Sequence, residues 1–491
     1  MANQWSNTDS GSAEPGSSEN PPAVVIGAGP AGLTAARELT THDIKPVVLE
    51  MSASVGGIAR TESHNDYRFD IGGHRFFTKV KEVDDLWHEV MGEDFIRVSR
   101  LSRIYYRGKF FAYPLQLLGT LRNLGIYESV RIVLSYLKWN VFPIRDEENF
   151  EQWVINRFGR RLYLHFFKSY TEKVWGIPCT QIRADWAAQR IQNLSLVRAV
   201  LHSLTGRHDT STLIDEFYYP RLGPGMMWQR FQQLVEDAGG EVHLRSQVIS
   251  LRHDGDRVRS IGVQDDSGRR ELQVSHVISS MPLSGLVLKM DPPPPPHVLD
   301  AARSLKYRDF LIVTLILQGP DPFPDNWLYV HGTDVMVGRI QNFRSWSEEL
   351  VPEPDKASIG MEYFCNTDDP LWNKSDDELL AFAEDELARL GLAAGSKVVD
   401  GAVIRQEKAY PVYDEHYQDA VDVIREYLEK FPNLQSVGRN GMHRYNNQDH
   451  SMLTGLLAAR NVVEKNQRDL WEVNVERSYH EEFVTDEAGD V

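Results

Sequence analysis

Cysteine is nearly absent: Cys179 and Cys365 are the only two in 491 residues. Two thiols so far apart in sequence form neither a disulfide framework nor a cysteine-based metal site, and the expectation is free thiols in a reducing compartment. Positive charge is the minority sign, 53 Lys and Arg against 70 Asp and Glu, for a formal net charge of -17. That balance argues against nucleic acid or an anionic membrane surface as partners, although a small anionic substrate needs only a local pair of arginines. No apolar run approaches the about twenty residues of a membrane-spanning helix, and no secretory leader is recognisable. The expectation is a soluble cytoplasmic enzyme for a small molecule, with homo-oligomerisation open.

What is present is organised around residues 22–50. Ala23-Val24-Val25-Ile26 is a short apolar run of strand type; Gly27-Ala28-Gly29-Pro30-Ala31-Gly32 follows, then a helical pattern through Leu39, then Pro46-Val47-Val48-Leu49 closed by Glu50. Strand, tight turn, helix, strand and acid make up the dinucleotide-binding pattern. Gly27 permits the turn, Gly29 admits a pyrophosphate to the backbone, and Gly32 lets the helix approach the strand, while the helix N-terminus offers free N–H groups to phosphate. Glu50 is suited to ribose hydroxyls. A glycine-rich turn without a ligand is the bland alternative. Ser54-Val55-Gly56-Gly57-Ile58-Ala59-Arg60 brings a second glycine pair and a cation, Arg60, to the same ligand, which suits FAD better than NAD.

The remainder divides by composition. Residues 1–21 and 476–491 read as disordered and acidic tails. The fold expected is α/β: a Rossmann-like FAD-binding domain from 22–100, 231–300 and 430–475, a helical insertion at 101–230, and a mixed or antiparallel sheet domain at 301–429. Helical spacing runs through 115–139 and 150–174. Strands are expected at 241–248, 258–263, 271–279, 310–317, 327–330, 335–340, 359–364 and 434–439, and helices at 376–390 and 449–466. Pro292 to Pro296 reads as a stiff extended connector. The aromatics Tyr105, Tyr106, Phe110, Phe111 and Tyr113 suit core packing better than base stacking.

Four motifs narrow the reading. They are Phe69-Asp70-Ile71-Gly72-Gly73-His74; Phe111-Ala112-Tyr113-Pro114-Leu115-Gln116; Tyr170-Thr171-Glu172-Lys173-Val174-Trp175-Gly176-Ile177-Pro178, leading to Trp186 and Arg190; and Gly438-Arg439-Asn440-Gly441-Met442-His443-Arg444-Tyr445-Asn446-Asn447-Gln448-Asp449-His450-Ser451-Met452. Together with the glycine turns they resemble the amine oxidase, protoporphyrinogen oxidase and UDP-galactopyranose mutase superfamily, and the eukaryotic mutases most. The resemblance implies that Gly73 and His74 lie beside the flavin, and that Gly438, Arg439, Gln448, Asp449, His450, Ser451 and Met452 hold FAD. It implies that Arg190 and Arg339 grip a substrate diphosphate with Tyr410 and Tyr445, and that Tyr113, Gln116, Thr171 and Trp175 surround the base. Thr171 stands where those mutases usually have asparagine, and Leu115 where an aromatic is common.

The activity so implied is a mutase that interconverts ring forms of a nucleotide sugar through an adduct between reduced flavin N5 and the sugar. NADPH or NADH would reduce the flavin at the start, with Arg103 a candidate contact for it. Two competitors remain: an FAD-dependent oxidoreductase of a sugar nucleotide, amine or polyene, and a flavin-binding regulator.

Overall fold

The computed structural model describes residues 21–184, 216–393, 395–464 and 467–474. Its first unit is β1 (Ala23–Ile26), α1 (Pro30–Thr40) and β2 (Val47–Leu49). Around it a five-stranded sheet runs in the order Leu434–Ser436, His276–Ser279, β1, β2, Glu241–His243, and every neighbouring pair is parallel. Parallel strands need cover on both faces, which explains why β1 is apolar at all four positions. On one face Val25, Leu33, Trp228 and Leu456 join a core formed with α1 and the helix Gln448–Val463. On the other face Val24, Ile26 and Leu49 pack with Val248, Ile261 and Ile424. A Cβ at Gly32 would lie 1.9 Å from the Gly27 carbonyl oxygen, so the helix can lean on the turn only without a side chain there.

A seven-stranded mixed sheet makes up the second layer, in the order Lys397–Pro411, Tyr307–Gln318, Lys356–Cys365, Arg339–Asn342, Trp327–Val330, Ser102–Tyr106, Lys109–Ala112. Alternation along Tyr307–Gln318 divides its side chains between two cores. Phe310 and Ile312 meet Phe150, Phe158 and Trp175 of the helical region, whereas Leu311 and Val313 meet Leu379 and Leu387 of the helix Asp376–Arg389.

Several expectations change in detail. The helical stretches resolve into Leu117–Leu124, Ile126–Val141, Phe150–Leu162 and Lys168–Trp175, but the segment ahead of them is a strand pair that extends the sheet, with Tyr105, Tyr106 and Phe111 buried. The strand expected at 335–340 lies at Arg339–Asn342, and Lys397–Pro411, which was not expected, is a 15-residue strand. Of the strands expected at 241–248, 258–263 and 271–279, Glu241–His243 and His276–Ser279 join the parallel sheet, whereas Gln247–His253, Val258–Asp265 and Gly268–Gln273 form a four-stranded sheet of their own with Met290–Asp291. The proline run ends in a helix, Pro296–Ser304, with proline in its first turn, where a missing N–H costs nothing. Cys179 and Cys365 are free and buried, and burial pushes both thiols up to about 12. Among the described residues no helix is long and apolar enough to cross a membrane, and no cluster of metal-ligating side chains occurs.

Candidate functional site

The ends of the parallel sheet, the second sheet and the helical region enclose a cavity of about 1130 Å³. Its nucleotide end is made by the two glycine turns. Gly29, Pro30, Ala31 and Gly57 line it, and a Cβ at Gly29 would rest 3.8 Å from the Gly57 Cα. The fold therefore tolerates a side chain at Gly29, but that side chain would occupy the space between the turns. Gly27 takes φ +96° and its amide donates to the Leu49 carbonyl at 2.8 Å, which closes the turn against β2. Glu50 lines the cavity and accepts from the Ala28 amide at 2.8 Å and from the Ser52 amide and hydroxyl at 2.8 and 2.7 Å. The acid thus ties both turns to the strand end. Arg60 also lines the wall, with Nε on Glu62 at 2.6 Å and Nη1 on the Gly57 carbonyl and Gln406.

The helix Gln448–Val463 brings its first turn to the same cavity, where Gln448, Asp449 and Ser451 line the wall. Both polar atoms of the Gln448 amide are buried without a protein partner, a costly state unless a ligand supplies one. His450 and Met452 are placed off this wall: the His450 ring accepts from the Asn447 amide in a capping box, and Met452 Sδ accepts from Trp87 Nε1 at 2.9 Å within the core. Gly32 and Gly56 likewise shape the turns from behind the wall.

At the other end the Gly72-Gly73-His74 turn faces Arg339, Tyr410 and Tyr445. A Cβ at Gly72 would lie 3.4 Å from Arg339 Nη2 and 4.0 Å from the Tyr410 hydroxyl, so both donors converge on the turn. Arg339 sits opposite Glu362 in the sheet register, and the fully buried Glu362 carboxylate binds its Nε while accepting from Gln341 at 2.6 Å. That carboxylate keeps Arg339 charged. Burial, then the charges of Arg439 and Arg339, push the His74 imidazole down to about 3, so it is neutral at ordinary pH. Tyr410 and Tyr445 are stacked at 5.8 Å, with the Arg439 guanidinium 4.6 Å from the Tyr445 ring. Burial first, then Tyr445, push the Tyr410 phenol up to about 12, which keeps it a hydrogen-bond donor. Gly438, at φ +79°, precedes Arg439 and sits against the nucleotide turn, where a Cβ would lie 3.0 Å from Ala31 Cβ.

Trp175 lies against the same tyrosines, 6.3 Å from Tyr445 and 6.5 Å from Tyr410, and Thr171 lines the cavity one turn earlier on its helix. Tyr113 occupies a separate aromatic wall, 4.6 Å from Tyr329. Gln116 is brought to neither: it is the exposed N-cap of the helix Leu117–Leu124. Arg103 is held bidentate by Asp325 at 2.8 and 2.6 Å, off the cavity wall, which removes it as a contact for a reductant. Arg190 lies outside the described residues. The sequence reading missed Tyr329, His331, Glu362 and Gln406. Tyr170, unassigned although inside a quoted motif, stacks on His331 at 4.6 Å, and both line the cavity.

A family described as flavin containing amine oxidoreductase matches residues 30–418, well over half of the chain. The chain belongs to that family. It is accordingly a flavin-dependent enzyme of the amine oxidase superfamily. Solved structures agree on the fold. A reduced UDP-galactopyranose mutase is 22% identical with a TM-score of 0.79, over 90% of this chain and 96% of that one. A putative protoporphyrinogen oxidase from Exiguobacterium sp. 255-15 is 16% identical with a TM-score of 0.69, over 91% and 100%. Putrescine oxidase bound to putrescine is 15% identical with a TM-score of 0.60, over 90% and 99%. The family implies FAD, and the cavity fits it: the opposed glycine turns leave room for a pyrophosphate, two helix N-termini reach the wall, and the Gln448 amide lacks a partner.

Proposed function

We propose that this protein is a flavin-dependent mutase that interconverts ring forms of a nucleotide sugar, of the UDP-galactopyranose and UDP-galactofuranose type. The observation that carries the reading is the group of Arg339, Tyr410, Tyr445 and Arg439 gathered at the Gly72 side of the cavity. A guanidinium braced by a buried carboxylate beside two phenols is built to receive an anion and to hold it as its charge changes.

In this reading Gly29, Gly57, Glu50, Gln448 and Ser451 hold FAD. When bound and reduced, it supplies a nucleophilic ring nitrogen for the anomeric carbon. The protein's own groups do the rest. Arg339, joined by Arg190, grips the diphosphate; Tyr410 and Tyr445 donate to it; and the four keep the departed nucleotide beside the sugar so that it can return. His74, neutral beside the flavin position, adds no charge that would compete for the diphosphate. Trp175 and Thr171 complete the wall near the phosphates, and Tyr113 with Tyr329 offers flat faces to a base. NADPH or NADH serves as the reductant that sets the flavin state.

An oxidase reading has the family's breadth behind it, and putrescine oxidase shares the fold. An amine substrate is a cation, however, and would meet Arg339 and Arg439 at the reacting end. Titration of the holoprotein with UDP and with putrescine, followed by flavin absorbance, separates the two. Saturable UDP binding with no response to putrescine supports the mutase; binding of putrescine alone rejects it.

A further inference from the structure

Exposed large hydrophobic side chains are concentrated on one element. Ile126, Tyr127, Val130, Val133, Leu134, Leu137 and Val141 on the helix Ile126–Val141, with Phe142 just after it, are between 41% and 86% exposed. Their spacing of three and four residues puts them along one outer face, over a helix of about 24 Å at 1.5 Å per residue. The inner face alone fixes the helix. Ile132 is fully buried, Glu128 accepts from Arg161 Nε at 2.7 Å and pairs with His165 at 2.9 Å, and a Cβ at Gly159 would come within 2.8 Å of the Tyr136 amide. The apolar outer stripe is therefore not needed to hold the fold.

Charge around the stripe runs against the rest of the molecule. Residues 101–141 carry Arg103, Arg107, Lys109, Arg122, Arg131 and Lys138 against the single acid Glu128, in a chain of net charge -17. Arg103 is paired with Asp325, and Glu128 is shared by Arg161, His165 and, at 3.5 Å, Arg131, but the five cations other than Arg103 are exposed. A second copy laid on this face would set Arg131 and Lys138 against their own kind, and the one acid on the helix, Glu128, is already engaged by Arg131, Arg161 and His165. An anionic lipid surface answers both features, because apolar side chains enter the acyl boundary while flanking Lys and Arg stay among the headgroups.

We propose that the helix Ile126–Val141 docks the protein on an anionic phospholipid bilayer, lying in the surface plane without spanning it. The site and the docking face are joined. Tyr113, Pro114 and Leu115 of the cavity wall lead directly into the helix Leu117–Leu124, which Gly125 connects to the docking helix. The overall negative charge that disfavours such a surface is thus overridden locally.

The test is flotation of the full-length, FAD-loaded protein with vesicles of phosphatidylcholine alone and of phosphatidylcholine mixed with phosphatidylglycerol. Flotation with the mixed vesicles, weakened by added salt, is expected. Leu134→Glu should lower the bound fraction about ten-fold, and Arg131→Glu with Lys138→Glu should abolish the preference for anionic lipid. Flavin absorbance and thermal midpoint verify that each variant is folded. The proposal is overturned if no flotation occurs, if Leu134→Glu floats like the unaltered protein, or if light scattering shows self-association that Leu134→Glu abolishes, which would give the stripe to a second copy.

Discussion

Arg339 owes its usefulness to a residue 23 positions away. The register between Arg339–Asn342 and Lys356–Cys365 sets Glu362 opposite it, and the buried carboxylate fixes the guanidinium through Nε, leaving the terminal nitrogens toward Gly72 and Tyr410. Arg339→Ala should weaken UDP binding by about 2–3 kcal/mol, and Arg339→Lys by nearly as much, because a lysine retains the charge without the fork. Equal affinity for all three proteins in calorimetry would take Arg339 out of the diphosphate site. Asp70 gives a test of a different kind. Burial pushes its carboxyl up to about 8, and the Tyr219 hydroxyl donates to it at 2.6 Å. The folded protein keeps a proton that the unfolded chain releases above 3.8, so the associated stability is full below that pH and declines up to about 8. Asp70→Asn cannot ionise, and should gain on the unaltered protein by ~4 kcal/mol between about pH 5 and 8 at roughly 1.4 kcal/mol per unit. A constant difference in thermal midpoint across that range would contradict the protonated state. Asp70 stands in a recognisable sequence motif and the resemblance pointed to Arg339; Glu362 and Tyr219 had neither signal, because what selects them is strand register and burial, which no local pattern records.

The opening β1, α1, β2 unit was legible because strand, turn, helix, strand and acid follow one another within some thirty consecutive residues and its glycines have separate jobs. Those jobs predict two different failures. Gly32→Ala drives a Cβ into the Gly27 carbonyl at 1.9 Å and should cost about 3 kcal/mol or more of stability, with flavin lost because the turn is displaced. Gly29→Ala meets only the Gly57 Cα at 3.8 Å, so the protein should fold normally yet bind FAD more weakly. Denaturation midpoints and flavin content, measured side by side, distinguish them; loss of stability in Gly29→Ala would mean the space between the turns is structural. The strand Lys397–Pro411 was not legible. It carries Asp400, Arg405, Gln406, Glu407 and Lys408, so its alternation is hidden by polar side chains, yet Gln406, Lys408, Ala409 and Tyr410 line the cavity. The strand pair Ser102–Tyr106 and Lys109–Ala112 was hidden for the opposite reason, since its aromatics suit any buried element.

At the scale of the molecule the site belongs to no single stretch. The cavity draws on the first glycine turns, the Gly72–His74 turn, the helical region, five strands of the seven-stranded sheet and the N-terminus of the helix Gln448–Val463, a lining that runs from Ile26 to Ser451. The motifs identified most of these segments individually, and the resemblance supplied their common purpose; the sequence left open how they face one another, and placed Gln116 and Met452 at a site that neither reaches. The proposal reads the assembly as a dinucleotide cradle joined to an anion grip, and a reaction that needs both without net oxidation is the central claim. The most direct test is anaerobic incubation of the dithionite-reduced and the oxidised holoprotein with UDP-galactofuranose, with products separated by ion exchange. Isomerised UDP-sugar from the reduced protein alone, the flavin still reduced at the end, is the expected result. No isomer from either form, or conversion tied to stoichiometric flavin oxidation or reduction, would contradict it.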